Sequence, residues 1–289
     1  MKDFYNQYRN LLFALAYQLT GSVEDAEDAV HDVFVKASDI QLNQLEEPKA
    51  YLCKMVTNRC LNLLKSARKR REVYIGQWLP EPIRTQDKDS TEKKVVYKDL
   101  LSYAMMVMVE RLTPTERAVF VLREALDFEY SKIAEVLDKQ EANCRKLMSR
   151  AKRKLGILSD GEEMIDIEDV GSDKVNEFLK ALEEGNIDHL LTMLADDVVI
   201  ESDGGGKAVA AKHPIKFPNQ VVNFLHGTMK GIESYYDGNY NFEVAPINGG
   251  RGVLLHTTDG TVATLFLHQR HGKIAKIYVM RNPEKLDYV

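Results

Sequence analysis

Cysteine is scarce: Cys53, Cys60 and Cys144 are the only three in 289 residues. They are too few for a disulfide framework, and their spacing suits no metal. Cys53 and Cys60 stand seven apart on one helical face, which suits core packing. No apolar run has the length of a membrane span and no leader-like segment is present, so a reduced, soluble, cytoplasmic protein without metal or cofactor is expected. Net positive charge is lacking too: 39 Lys and Arg against 44 Asp and Glu give −5. That balance argues against a polyanionic partner until charge is placed along the chain. Basic runs then stand at Lys65 to Arg71 and Arg145 to Lys154, while Asp160 to Asp173 is acidic. Local patches, not the total, set the field a phosphate meets. Phosphate-binding signatures are missing as well. Asp203-Gly204-Gly205-Gly206-Lys207 has neither the P-loop nor the dinucleotide spacing, and fits an anion cradle or a loop that meets another domain.

Length and 44% hydrophobic residues suffice for two or three domains, each with a core. The most organised stretch is Thr113 to Leu155. Thr113 with Glu116 three residues on is a capping box, and Pro114 falls at the first helical position, where a missing N–H costs nothing. Two short helices follow, parted by Asp138-Lys139-Gln140. The second buries Cys144, Leu147, Met148, Ala151 and Leu155 and leaves its cations largely outside that stripe. This is helix-turn-helix geometry; a helical hairpin with a solvated basic face fits the bare pattern equally well.

From Leu112 to Leu155, with Ile133-Ala134-Glu135-Val136-Leu137 and Ser149-Arg150-Ala151-Lys152, the chain resembles the promoter −35-binding region of bacterial RNA polymerase sigma factors. The resemblance implies DNA contacts from Gln140, Asn143, Arg145, Lys146, Arg150 and Arg153, with Arg153 and Lys154 on phosphate. Asp138 replaces the usual turn glycine, and Asp tolerates the left-handed region. Glu129 replaces the usual capping Ser or Thr, which weakens that helix start.

Earlier in the chain, Thr20-Gly21 closes a helix and Ser22 with Asp25 opens another, Val23 to Lys36. A row of acids at helical spacing serves a solvated face as readily as a partner. However, Gly21-Ser22-Val23-Glu24-Asp25-Ala26-Glu27-Asp28 resembles the helix of extracytoplasmic-function sigma factors that docks on the β′ subunit of core polymerase. This implies polymerase contacts from Asp25, Asp28, Asp32 and Phe34. Ala50 to Arg59 resembles the −10-reading, strand-separating region. There Tyr51 suits base stacking or the helix core, Asn58 a base edge, and Arg59, Lys65 and Arg68 phosphates.

Tyr74 to Glu92 has linker composition but holds Trp78-Leu79-Pro80-Glu81-Pro82, and a tryptophan in a linker needs a burial partner. Val95 to Arg111 reads as a Met-rich core helix. Past residue 171 come helices around Val175 to Leu182 and Leu190 to Leu194, a strand from Val198 and a helix after Pro218. Four strand runs, Tyr240–Ile247, Gly252–Thr257, Thr261–His268 and Lys273–Met280, are parted by Gly-containing turns. Helices followed by an antiparallel meander predict an α+β domain; residues 172–280 resemble the SnoaL-like branch of the NTF2-like fold. Asp203, His213, Glu243, His256 and His268 could serve as acid or base there, but no spacing singles out a pair.

Three separated motifs, the Trp78 segment, the Asp203 loop and Asn282-Pro283-Glu284-Lys285-Leu286, together resemble one subgroup: extracytoplasmic-function sigma factors with a fused SnoaL-like domain, the SigJ-like subgroup. The implied fold is multidomain: two all-α sigma domains (the second a helix-turn-helix), then an α+β NTF2-like domain. The expected boundaries are 1–73 for region 2, 74–92 for the linker, 93–158 for region 4, 159–171 for an acidic linker, 172–281 for the third domain and 282–289 for the tail. The implied function is promoter-directed transcription initiation with core polymerase (β′ and β subunits) and promoter DNA. It implies no catalysis by the chain, no membrane and no separate anti-sigma factor. Regulation would pass through a contact of Trp78, Leu79, Pro80 and Glu81 with Asp203, Gly204, Gly205, Lys207, Asn282, Pro283 and Leu286. A ligand of the third domain stays open. The alternative is a helix-turn-helix regulator with a sensor or enzyme domain, independent of polymerase.

Overall fold

The computed structural model describes residues 2–38, 40, 44–85, 101–157 and 168–289, the side chains at 2 and 67–72 excepted. They fall into two compact units with the bounds Met1–Val73 plus Asp87–Ile165, and Tyr74–Gln86 plus Asp166–Val289.

In the first unit, α1 (Lys2–Thr20), α2 (Val23–Ala37) and α3 (Pro48–Glu72) pack on one another. Leu12, Leu15 and Leu19 of α1 meet the buried face of α2 and the Leu52, Cys53, Val56 and Cys60 stripe of α3. Burial pushes the Cys53 thiol up to about 12 and raises Cys60 too, so both behave as small apolar side chains. Of the helix expected over Val95 to Arg111, α4 (Tyr103–Val109) forms, all seven residues buried, with Ser102 as N-cap; residues 95–100 lie outside those described. Then come α5 (Pro114–Glu124), α6 (Tyr130–Leu137) and α7 (Glu141–Leu155). Arg117, only 3% exposed, joins the two halves of this unit: it donates to the carbonyls of Leu19 (2.8 Å) and Val109 (3.1 Å) and to Glu110 (2.6 Å). A buried guanidinium is tolerable only when its fork is satisfied in this way.

The second unit sets α8 (Ser172–Glu183), α9 (Ile187–Met193) and α10 (Pro218–Tyr236) on one face of a seven-stranded sheet. Phe178, Leu182, Leu190, Val221 and Val222 pack there against Ile200, Leu255, Leu265, Leu267 and Ile277. The strands β4 (Tyr240–Ile247), β5 (Gly250–Thr257), β6 (Gly260–Arg270) and β7 (Lys273–Met280) form the expected antiparallel meander. The sheet is not wholly antiparallel, however. β2 (Leu194–Asp203) lies parallel to β7, with Asp203 opposite Met280; β3 (Ile215–Lys216) pairs antiparallel with β2, and β1 (Glu168–Asp169) with β6. β2 also starts four residues before the expected Val198, so Leu194 belongs to the strand and α9 ends at Met193. The α9 start is fixed by Asn186, whose side chain accepts from His189 N at 3.1 Å.

Candidate nucleic-acid interface and linker clasp

The helix-turn-helix is built from local signals. Thr113 caps α5: Glu116 N donates to its hydroxyl (3.4 Å) and Thr113 N to the Glu116 carboxylate (2.9 Å). Glu116 is 4% exposed and also receives Lys154 Nζ at 2.7 Å. Burial works against its charge, but the bonds from Lys154 and Thr113 outweigh burial and hold its carboxyl below the usual range. Glu129 caps α6 with no side-chain bond, and Asp138 ends it at φ 52, ψ 54, the left-handed turn that brings α7 across.

Not all cations of α7 are equally available. Lys154 pairs with Glu116 while its side chain stays 44% exposed, and Lys152 stands 3.5 Å from Glu124. Arg145 bonds Glu141 and lies over the Tyr130 ring at 4.4 Å. Lys146, Arg150 and Arg153 are exposed, as are Gln140 and Asn143, and among the described residues the three cations have no ion-pair partner. The free cations therefore cluster on the outward face, opposite Cys144, Met148, Ala151 and Leu155.

In α2, Ser22 accepts from Asp25 N, Asp25 is half-buried and Asp28 is exposed. Asp32 is held by Arg59 Nε of α3 at 2.8 Å, so a residue expected to meet polymerase and one expected to meet DNA pair with each other. Phe34 is a correction: at 6% exposure its ring packs on Tyr5, centroids 4.8 Å apart, and it serves the core instead of a partner surface. Asn58 and Lys65 are exposed, and Asn58 lines a groove of about 320 Å³ with Asp32, Lys36, Met55, Arg59 and Asn62. The Arg68 side chain lies outside the described residues. Tyr51 is 36% exposed and lines a second groove that α6 closes on its far side through Lys132, Glu135 and Val136. Lys132 pairs there with Glu47, and Lys49 lies 5.6 Å from the Phe128 ring centroid.

In the second unit the residues singled out from three separate motifs converge on one carboxylate. Asp203 is fully buried at the end of β2. Its oxygens accept from Tyr74 Oη (2.6 Å), Leu79 N (2.9 Å), Gly205 N (2.9 Å) and Lys285 Nζ (2.8 Å). Lys285 also donates to the Leu79 carbonyl at 2.7 Å and lies over Trp78 at 4.1 Å and Tyr74 at 5.1 Å. Trp78 is half-buried, Leu79 and Pro80 are buried and Glu81 is half-buried. The tail is tied to the same loop. Asn282 Nδ2 donates to Tyr74 Oη at 3.0 Å, Arg281 N and Asn282 N donate to the Asp203 carbonyl, and Lys207 pairs with Glu284. Pro283 opens a short 3-10 turn, and Leu286 after it is buried. Gly205 takes φ 58, and a methyl on it would lie 2.4 Å from Asn282 Nδ2; one on Gly204 would lie 2.2 Å from the Ala208 carbonyl oxygen. The glycines thus serve close approach. The loop gives its Gly205 N–H to the Asp203 carboxylate and those of Lys207 and Ala208 to the Gly204 carbonyl, so these donors are spent inside the clasp and not on an anion.

Beyond Pro82 the linker continues along the sheet edge. Ile83 N donates to Asn248 Oδ1, Thr85 N to the Pro246 carbonyl, and Arg84 pairs with Glu243. Burial raises the Tyr74 pKa, reinforced by its bond to Asp203. Tyr74 and Lys285 are not among the expected site residues; their tie spans about three quarters of the chain, and no local pattern marks it. Of the acid and base candidates, Glu243 and His256 do come together (2.9 Å), with Thr261 on the other ring nitrogen at 3.1 Å, but Arg84 shares Glu243. His213 is exposed and His268 is buried 3.0 Å from Asp169. Among the described residues no group of three or more His, Cys, Asp or Glu is placed to hold a metal, and no helix is long and apolar enough to cross a membrane.

Residues 4–70 match the family described as Sigma-70 region 2, and residues 102–155 the family described as Sigma-70, region 4. The extracytoplasmic-function RNA polymerase sigma factor SigJ of Mycobacterium tuberculosis is 33% identical over 287 residues, covering 96% of this chain and 90% of that protein. A probable extracytoplasmic-function sigma factor, SigI, of the same species is 28% identical and covers 97% and 92%. The crystal structure of the M. tuberculosis SigJ superposes with a TM-score of 0.76 at 28% identity, over 99% of this chain and 98% of that one.

Proposed function

The chain belongs to the extracytoplasmic-function sigma factors of RNA polymerase, and from that premise we propose how its parts divide the work. As a sigma factor it binds core polymerase and promoter DNA and directs initiation. In the proposed division, Asp25 and Asp28 on α2 meet the polymerase. The α3 surface of Tyr51, Asn58, Arg59 and Lys65 reads the separated −10 strand, and the N-terminal half of α7 reads the −35 duplex with Arg145 and Lys146 while Arg150 and Arg153 take phosphate. The α+β unit regulates in cis. One observation carries that last reading: a single buried carboxylate, Asp203, receives the linker between the two sigma regions, its own loop and the C-terminal tail. A linker clamped in this way has its free length cut, so the reach between −10 and −35 readers depends on the clasp. Tethering favours even a weak contact, at an effective concentration on the order of millimolar. No separate anti-sigma protein is required, and the chain acts in the cytoplasm beside its polymerase. The polymerase-independent alternative gains nothing from the acidic helix α2.

The test is in vitro transcription with core polymerase and full-length, tail-truncated (from Asn282) and domain-deleted chains. Truncation of the tail should raise transcript yield, and deletion of the whole domain should lower promoter selectivity. Equal activity of full-length and truncated chains would remove the case for control in cis.

A further inference from the structure

Resting on the reading of Arg145 as a base-reading side chain, we propose that Tyr130 is a positioning residue for −35 specificity. Its ring is the platform that, with Glu141, holds the Arg145 guanidinium ready for a guanine. Tyr130 is the first residue of α6, the supporting helix, and Arg145 lies in the first turns of α7. The Arg145 Cζ stands 4.4 Å from the ring centroid, and a second guanidinium, that of Arg123, lies over the same ring at 5.4 Å. Arg123 is itself fixed, donating to the Phe128 carbonyl at 2.9 Å and to Glu129 at 3.3 Å. The ring is therefore braced from α5 and carries Arg145 towards α7. Among the described residues Glu141, one helical turn back, is the acceptor of Arg145, through Nη2.

An arginine side chain in water samples many rotamers, and freezing them on binding DNA costs affinity. Here the side chain is held beforehand while it stays 59% exposed. Stacking on an aromatic face suits the planar guanidinium and leaves its edge for in-plane hydrogen bonds. The planar pair of acceptors it matches in a major groove is O6 and N7 of guanine. The ordinary alternative is that the stack only steadies the helix-turn-helix, in which case its loss would weaken binding to every sequence alike.

The two are separated by selecting −35 preferences from a duplex library randomised over the promoter segment, using full-length chain with core polymerase. Arg145→Ala should lose preference for guanine at one base pair by roughly tenfold. Tyr130→Leu, which keeps apolar bulk without the π face, should lose about two- to fivefold at that same base pair. Tyr130→Phe should retain wild-type preference, and thermal unfolding of all three should match wild type. If Arg145→Ala loses the guanine while Tyr130→Leu keeps it, or if Tyr130→Leu weakens all sequences uniformly, the platform is overturned and the Arg145 reading stands. If Arg145→Ala keeps the preference, the base-reading assignment fails and the platform falls with it.

Discussion

Replacing Asp203 by Ala should cost the α+β unit more than replacing its partner Lys285 by Met, and the structure says why. Asp203 is fully buried and Lys285 side-chain exposure is 7%. Removing the carboxylate strands the ammonium and leaves Leu79 N and Gly205 N without their acceptor. Breaking a buried pair from one side costs about 3–5 kcal/mol. Removing the ammonium breaks the same pair, but it leaves Asp203 three donors, from Tyr74, Leu79 and Gly205, so its cost should fall at the lower end of that range, about 3 kcal/mol. Met also keeps much of the apolar stem of Lys285. Trp78 is the only tryptophan, and its ring stands 4.1 Å from Lys285 Nζ, so its fluorescence through urea unfolding reports this unit directly. The expected order of midpoints is wild type, Lys285→Met, Asp203→Ala. A reversed order, or an Asp203→Ala chain with wild-type midpoint and Trp78 emission, would refute the view of Asp203 as the hub.

Charge reversal at Asp25 and Asp28 should weaken capture of core polymerase by roughly tenfold or more while the chain still folds, since Asp28 is exposed and the Ser22 cap takes the Asp25 backbone N–H; unchanged pull-down would count against the α2 assignment. Glu116 has a folded pKa below its usual 4.5, so its stabilising contribution is present above that value and lost as pH falls through the lower folded one. Lys154→Ala should flatten this acid limb in a series of thermal melts from neutral pH downward, and an identical pH profile would contradict it. Glu47→Lys should open the α3 and α6 groove around Tyr51, and pairing it with Lys132→Glu should close it again; binding of single-stranded −10 DNA should rise in the first chain and return to wild type in the second.

Much of this molecule was legible where the determinants are local. The Thr113 capping box and the Asp138 turn each need only neighbouring residues, and each forms as read. The meander likewise follows from Asn248-Gly249, Asp259-Gly260 and His271-Gly272, where positive φ falls on Asn248, Gly249, Gly260, His271 and Gly272. Parallel pairing of β2 with β7 has no such sign, because the partners are far apart in sequence and joined through α10. Phe34 shows the opposite limit. The resemblance grouped it with the acids of α2, but nine residues past Asp25 it falls on the opposite helical face, and its ring turns inward onto Tyr5. At the clasp, the glycines and Trp78 signalled close approach and burial, whereas the hydrogen-bonding partners Tyr74 and Lys285 could be found only once the linker and tail met at Asp203.

Run-off transcription with core polymerase, comparing wild type with Asp203→Ala while Trp78 emission is followed in the same samples, tests most directly whether the clasp governs the sigma factor. Control in cis predicts a shifted Trp78 emission together with more transcript from the same start site. A shifted emission with an unchanged transcript yield would mean that the clasp holds the linker without controlling initiation.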